Sequence, residues 1–314
     1  MSEPTNTTKR RSAIQIMGSL IGLVKPLLHI MLAAIILGTL GYLCAIFLTI
    51  LAGQVIVHGL LTGVAGMNVP VEKMWLVFTP VKTIITIMIV IAVLRGILHY
   101  VEQYCNHFIA FKLLAIIRHK VFAALRKLCP AKLEGRDKGN LISIITTDIE
   151  LLEVFYAHTI SPIAIATLTS IIMVIFIGRY HWLAGLLALA AYLIVGVAIP
   201  MWNGKRGSQK GMEFRTNFGE LNSFVLDSLR GLDETIQYGQ GEKRREQMSK
   251  QSKNLAGMQE SLSKMEGSQR SFTNMVILLA SFGMLALTIW LYDKGAMGFE
   301  GILTCTIAMM GSFG

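Results

Sequence analysis

Residues Arg118 to Pro162 read RHKVFAALRKLCPAKLEGRDKGNLISIITTDIELLEVFYAHTISP, and this stretch indicates the fold. The stretch is charged, and it has a helical pattern on both sides of a Gly-containing turn. It lies between segments that are apolar enough to cross a membrane. A loop of this size predicts a pair of helices that extend into the cytoplasm. They are expected to meet at a tip, Lys132 to Gly139, that can touch another protein or domain.

The composition indicates a polytopic membrane protein. Hydrophobic residues make up 53% of the 314 residues and charged residues only 15%, which is unusual for a soluble globular chain. The net charge of +10 could suggest nucleic acid or an anionic membrane. Most Lys and Arg lie in three blocks: up to Lys25, from Lys112 to Lys138 and from Lys205 to Arg270. This asymmetry predicts that the blocks and the N-terminus are cytoplasmic, and it explains the charge without nucleic acid.

The predicted fold class is all-α, with an interfacial helix in a cytoplasmic tail over 1–26 and a membrane domain over 27–314. The expected crossings are about 27–57, 77–101, 155–177, 182–202, 272–292 and 299–314. The last is too short to complete a span, so a truncated sixth helix is expected. Long intracellular hairpins are predicted at about 102–154 and 203–271.

This arrangement resembles the transmembrane domain of ATP-binding cassette (ABC) exporters over nearly the whole chain. The matching segments are Ile116 to Phe122, Gly139 to Ser143, Asp148, Leu229 to Gly231, Ile236 and Arg244. The resemblance implies a dimer with a second half-transporter, identical or different, and a nucleotide-binding domain that uses ATP and Mg²⁺. That domain is absent from this sequence, which contains no GxxxxGK[ST] phosphate loop.

In this family the hairpin tips dock on the nucleotide-binding domain. The resemblance implies two coupling tips here, at Lys132 to Lys138 and at Thr216 to Phe224. The candidate residues are Lys132, Glu134, Arg136, Asp137, Lys138, Thr216, Phe218, Glu220 and Phe224.

Within the family, the chain resembles the CydC-like half of CydDC-type exporters, which move thiols such as cysteine and glutathione. The residues that carry this likeness are Arg95, Tyr100, Glu102, His107, Leu152, Tyr156, Ile160, Ser161 and Pro162. The resemblance implies haem at His107, although Gln103 stands where a basic residue is expected. The alternative for His107 is a structural or interfacial histidine. The alternative substrates are a lipid, a peptide or a drug.

Four polar residues recur on the second crossing at steps of four, three and four: Arg95, His99, Glu102 and Asn106. This spacing places them within about 60° of one another on a helix. A charge in a membrane helix usually faces a protein interior or an aqueous cavity. The stripe therefore predicts a substrate pathway in which Arg95 binds a carboxylate. The alternative is that Arg95 and Glu102 pair with each other and only set helix packing.

No catalytic or metal-binding set is predicted. The four cysteines lack metal-ligand spacing, and Asp148, Glu150 and Glu153 have the pattern of a solvated, salt-bridged helix face. The predicted function is the permease part of an ATP-driven exporter in a plasma membrane, expected to be a bacterial inner membrane. A motorless membrane scaffold or receptor and a membrane-embedded enzyme are the alternatives.

Overall fold

The computed structural model describes Gly18, Gly22 and residues 25–63, 81–128 and 149–313. Nearly all of these residues are helical and none of them lies in a strand, which confirms the predicted all-α fold. Most of the tail over 1–26 lies outside the described residues, and so does the predicted first tip from Lys132 to Gly139.

Two compact units divide the chain, the first running to Ile175 and the second covering Phe176–Phe313. The first contains a 3₁₀ turn, Lys25–Leu27, followed by α1 (Leu28–Gly63), α2 (Val81–Leu128), α3 (Ile149–Phe155) and most of α4 (Ser161–Gly178). The second contains the end of α4 and then α5 (Trp182–Leu193), α6 (Ile199–Arg230), α7 (Leu232–Gln237), α8 (Gly241–Asp293) and α9 (Phe299–Gly311).

Five helical stretches in the described residues are long and apolar enough to cross a membrane. They are Lys25–Val57, Lys82–Lys127, Tyr156–Gly178, Trp182–Gly204 and Gly241–Asp293, and α9 is apolar but shorter. The 48 residues of α2 and the 53 of α8 correspond to about 70 and 80 Å at 1.5 Å per residue. Because a hydrocarbon core is about 30 Å thick, both helices must extend beyond the bilayer.

Two π-helical turns interrupt the membrane helices, and each is followed by a proline. One turn, Tyr156–Ile160, ends two residues before Pro162, and the other, Ile194–Ala198, ends two residues before Pro200. Proline has no N–H to donate, and its ring crowds the carbonyl four residues earlier. The wider π-helical turn accommodates that carbonyl, so the helix continues past the proline.

The core of the first unit forms where α2 meets α1 and the first π-helical turn. Its buried members are Leu27, Ile109, Ala110, Leu113, Tyr156 and Ala157. In the second unit α8 packs against α5, α6 and α9. In the turn after α4, burial raises the pKa of Tyr180, whose hydroxyl also forms hydrogen bonds with the side chains of Thr304 and Glu300. These bonds tie the turn to α9.

Candidate functional site

The four polar residues predicted on the second crossing all lie on α2, but the structure places them in two environments. Arg95 is exposed, and so is His99, with a side chain 60% exposed. Glu102 and Asn106 are buried, at 3% and 2% exposure. The helix therefore carries two exposed basic side chains, followed by a buried polar pair.

A short polar chain links three of these residues. The Nδ2 atom of Asn106 donates to Oε1 of Glu102 at 2.6 Å, and Nδ1 of His99 lies 3.2 Å from Oε2 of Glu102. Oε2 of Glu102 and Oδ1 of Asn106 have no hydrogen-bond partner. The predicted alternative, an ion pair between Arg95 and Glu102, is not among the ion pairs of the described residues.

Glu102 is buried because α1 and α4 come close to it. A Cβ atom added at Gly38 of α1 would lie 3.0 Å from Cγ of Glu102 and would overlap the end of the Ile165 side chain on α4. Only glycine leaves room for this approach of α1. Gly38 therefore belongs to the surroundings of the buried pair.

His107 lies one turn further along α2 and has three close neighbours. Its Nδ1 is 3.9 Å from Oε1 of Glu153, and its ring meets His158 edge to face at 5.6 Å. Phe111 stacks on the same ring at 6.1 Å. The first π-helical turn positions His158, and α3 positions Glu153, so this cluster joins three consecutive elements of the first unit.

The surroundings of His107 do not support haem. Nδ1 of His107 faces the Glu153 carboxylate, and the ring contacts the side chains of Phe111 and His158. The cluster is instead a packing contact between α2 and the start of the α3–α4 segment. An ion pair also joins α2 to α3 near this cluster, since Arg118 Nη2 lies 3.3 Å from Oε1 of Glu150.

The residues predicted as the second coupling tip, Thr216, Phe218, Glu220 and Phe224, all lie within α6. The prediction of a tip at this position is wrong, because the chain continues as a helix to Arg230. The hydroxyl of Thr216 donates to the carbonyl of Met212, and the guanidinium of Arg244 lies 5.0 Å from the ring centre of Phe224. The latter contact turns Phe224 toward α8 instead of toward the end of the hairpin.

The chain reverses at Gly231–Gln240, which we call the second tip. There the short helix α7 ends in a Schellman motif. The Gly239 N–H donates to the Ile236 carbonyl at 3.1 Å, and the Gln240 N–H donates to the Thr235 carbonyl at 2.9 Å. Gly239 has φ +65°, a left-handed conformation that favours glycine.

Large apolar side chains are exposed at and just before the second tip. They are Leu226, Leu229, Leu232, Ile236 and Tyr238, and the last two are 69% and 73% exposed. Such clustering on an otherwise charged hairpin is typical of a protein-binding surface. The first tip, with Lys132, Glu134, Arg136, Asp137 and Lys138, lies outside the described residues.

Three site residues were missed in the sequence: Gly38, His158 and Gly239. Gly239 was detectable, because a Gly after a short polar helix is a common helix end. Gly38 and His158 were not, because their importance depends on which helices pack together.

Comparison with known proteins agrees with this architecture. The family described as the ABC transporter transmembrane region matches residues 27–313. A probable ABC transporter ATP-binding/permease protein of Haemophilus influenzae is 40% identical over 306 residues, which are 97% of this chain and 53% of the relative. The glutathione/L-cysteine transport system ATP-binding/permease protein CydD of Escherichia coli is 24% identical over 178 residues, 56% of this chain and 28% of the relative.

An ATP-dependent lipid A-core flippase of Shewanella denitrificans is 23% identical over 179 residues, 57% of this chain and 30% of the relative. The chain thus spans about half the length of its 40% identical relative. The likeness to CydD does not establish the more specific resemblance to a CydC-like half. The match over 27–313 and the long helices that leave the membrane agree: the chain belongs to the ABC transporter transmembrane region family.

Proposed function

We propose that this chain is the membrane part of an ATP-driven exporter and that it forms one half of the substrate pathway. A second half-transporter, identical or different, supplies the other half. The pathway crosses the plasma membrane, a bacterial inner membrane with the N-terminus in the cytoplasm. The favoured substrate is a small thiol or amino-acid-like compound. A lipid, peptide or drug is the alternative.

ATP hydrolysis in this proposal occurs in a nucleotide-binding domain that binds ATP with Mg²⁺. Two observations support it: three relatives are named as ATP-binding or ATP-dependent proteins, and the chain spans about half of the Haemophilus relative. The residues described above provide the membrane part and its connection to that domain. Haem has no place in this proposal.

The observation that carries the proposal is the exposed apolar surface of the second tip. Its stem, formed by residues 203–230 of α6 and 241–270 of α8, has mostly polar and charged side chains on the surface. Burying the Ile236 and Tyr238 side chains against another protein removes apolar surface from water, at about 25 cal/mol per Å². The second tip thus replaces Thr216 to Phe224 as the proposed coupling contact. The first tip, at Lys132 to Lys138, remains the second proposed contact.

The exposed part of α2 is the proposed substrate surface. Arg95 and His99 are both exposed, and Tyr100 and Tyr104 nearby are 70% and 61% exposed. An Arg side chain on a membrane helix is stable only beside an aqueous cavity or an opposite charge. We place this cavity between the two half-transporters, where Arg95 binds an anionic group of the substrate.

The test uses the complete transporter, with its nucleotide-binding domain, in inside-out vesicles. The tip variants are Ile236→Ser and Tyr238→Ser, and the matched control is Glu220→Lys on the exposed stem of α6. We expect both tip variants to lose ATP-driven uptake of labelled glutathione or cysteine at least tenfold, while the control retains it.

ATPase activity and nucleotide binding are measured on the same samples. Retained ATP hydrolysis with lost uptake in the tip variants indicates uncoupling, as proposed. Normal uptake in both tip variants, or an equal loss in the control, would contradict the assignment of the tip. If uptake of either thiol is absent in the unaltered protein, labelled lipid is tested next, and its transport would replace the thiol assignment.

A further inference from the structure

The second tip is joined to its stem at two places that lack side-chain caps. Gly231 precedes α7 and Gln240 precedes α8, and neither residue forms a side-chain cap hydrogen bond. A side-chain cap normally satisfies a free N–H group at the start of a helix and stabilises that end. Without these caps, the orientation of the tip on its stem depends on other contacts.

Arg244 of α8 supplies such a contact about one turn below the tip. Its guanidinium lies 5.0 Å from the ring centre of Phe224, and its Nη1 donates to Oγ of Ser228 at 3.4 Å. The Ser228 hydroxyl in turn donates to the carbonyl of Phe224 at 2.7 Å. Phe224 and Ser228 are four residues apart and therefore lie on one face of α6. A single side chain of α8 thus holds a whole turn of α6.

Among the polar contacts between α6 and α8 in the described residues, the Arg244 contact lies nearest to the second tip. The next one along the stem joins Asn217 Nδ2 to Met258 Sδ at 3.6 Å. Asn217 is about 16 Å from Ser228 along a helix with a rise of 1.5 Å per residue. Loss of the Arg244 contact would therefore leave the end of the hairpin without a polar contact across it.

The stability of α8 alone does not explain the position of Arg244. The residue lies in the first turn of α8, where the helix dipole disfavours a positive charge. Its neighbours Lys243 and Arg245 are exposed, and Arg245 pairs with Glu242 at 2.8 Å. Arg244 is half-buried instead, and it belongs to none of the ion pairs of the described residues. Its side chain therefore serves the contact with α6.

We propose that Arg244 is a positioning residue for coupling. It clamps the end of α6 to the start of α8, so that the second tip and its stem move together when the nucleotide-binding domain moves. Without the clamp the tip still presents Ile236 and Tyr238, but it turns about its two junctions and transmits less of that motion to the membrane helices. This inference rests on the proposed coupling role of the second tip.

The experiment measures the uptake of labelled glutathione per ATP hydrolysed by the complete transporter in inside-out vesicles. Arg244→Ala should lower this ratio at least fivefold, while the KM for ATP stays unchanged. Phe224→Leu removes the ring and should have the same effect, whereas Phe224→Tyr keeps the ring and should retain the ratio. The matched control is Arg245→Ala, which removes the neighbouring exposed charge and should leave the ratio unchanged.

A second measurement needs no substrate and follows the tip itself. Hydrogen exchange of residues 231–240, read by mass spectrometry, should be at least fivefold faster in Arg244→Ala and in Phe224→Leu. It should be unchanged in Phe224→Tyr and in Arg245→Ala. The double variant Arg244→Ala/Phe224→Leu should lose no more than either single variant, because both changes remove the same contact.

Additive losses in the double variant would show that the two side chains act separately and would overturn the clamp. An equal fall of the ratio in Arg245→Ala would assign the effect to charge alone and would also overturn it. An unchanged ratio in Arg244→Ala, with uptake lost in Ile236→Ser, would refute this inference while the coupling role of the second tip stands. Normal uptake in Ile236→Ser would remove that coupling role, and this inference with it.

Discussion

Replacing Gly38 by Ala tests the close packing around the buried pair. The added Cβ would lie 3.0 Å from Cγ of Glu102 and would overlap the end of Ile165. Ala favours a helix over Gly by about 1 kcal/mol, whereas overpacking a core costs about 1 to 3 kcal/mol. We therefore expect Gly38→Ala to lower the free energy of unfolding by roughly 0 to 2 kcal/mol.

A double-mutant cycle separates these two opposing effects. Ile165→Val removes the atom that the new Cβ overlaps, and by itself it should cost about 0.5 to 1.5 kcal/mol. If the overlap is real, the double variant should be more stable than the sum of the single changes by about 1 kcal/mol. The free energies are measured by denaturant unfolding of the protein in detergent, followed by tryptophan fluorescence.

The control is Gly96→Ala on α2, where a new Cβ has no neighbour within 4 Å. This change should leave stability equal or slightly higher, because only the helix preference acts. A Gly38→Ala variant as stable as Gly96→Ala would contradict the close packing at Gly38. Simply additive effects of Gly38→Ala and Ile165→Val would contradict it as well.

Three further predictions concern the substrate surface, the second tip and the end of α9. Arg95→Ala should reduce uptake in vesicles at least tenfold while the exposed control Lys112→Ala does not, and equal uptake in both variants would contradict a role in binding. Gly239→Ala should destabilise the second tip by about 1 to 2 kcal/mol because of its positive φ, and unchanged hydrogen exchange there would refute this. Tyr192→Phe removes the 2.6 Å hydrogen bond to Ser312 and should cost about 1 kcal/mol in thermal unfolding; an unchanged midpoint would contradict it.

Local sequence features predicted the helices of this chain well. The sequence from Ile97 to Cys129 has no Gly or Pro, and α2 runs unbroken to Leu128. The error in the second hairpin arose because its apolar residues keep a helical spacing past the true reversal. A periodic pattern identifies a helix face but does not mark the end of a helix. Gly231 and Gly239 marked the second tip more directly.

The polar stripe on α2 was only half predictable for a different reason. Helical spacing places Arg95 and Asn106 on one face, and this relation depends on α2 alone. Whether such a face is buried depends on what packs against each turn. Gly38 brings α1 close at Glu102, whereas the earlier turn with Arg95 is exposed. The burial of each turn of α2 therefore depends on tertiary packing, which the spacing of residues along one helix does not specify.

The same contrast suggests why α2 carries two kinds of polar group. Glu102 and Asn106 are buried within one chain and hydrogen-bond to each other, so the burial of this pair needs no second half-transporter. Arg95 has no ion-pair partner among the described residues, and no proton transfer can neutralise it at ordinary pH. Its charge must therefore be matched by water, a substrate or another chain. We therefore expect the exposed turns of α2 to line the transport pathway and the buried turns to stabilise the helix that carries them.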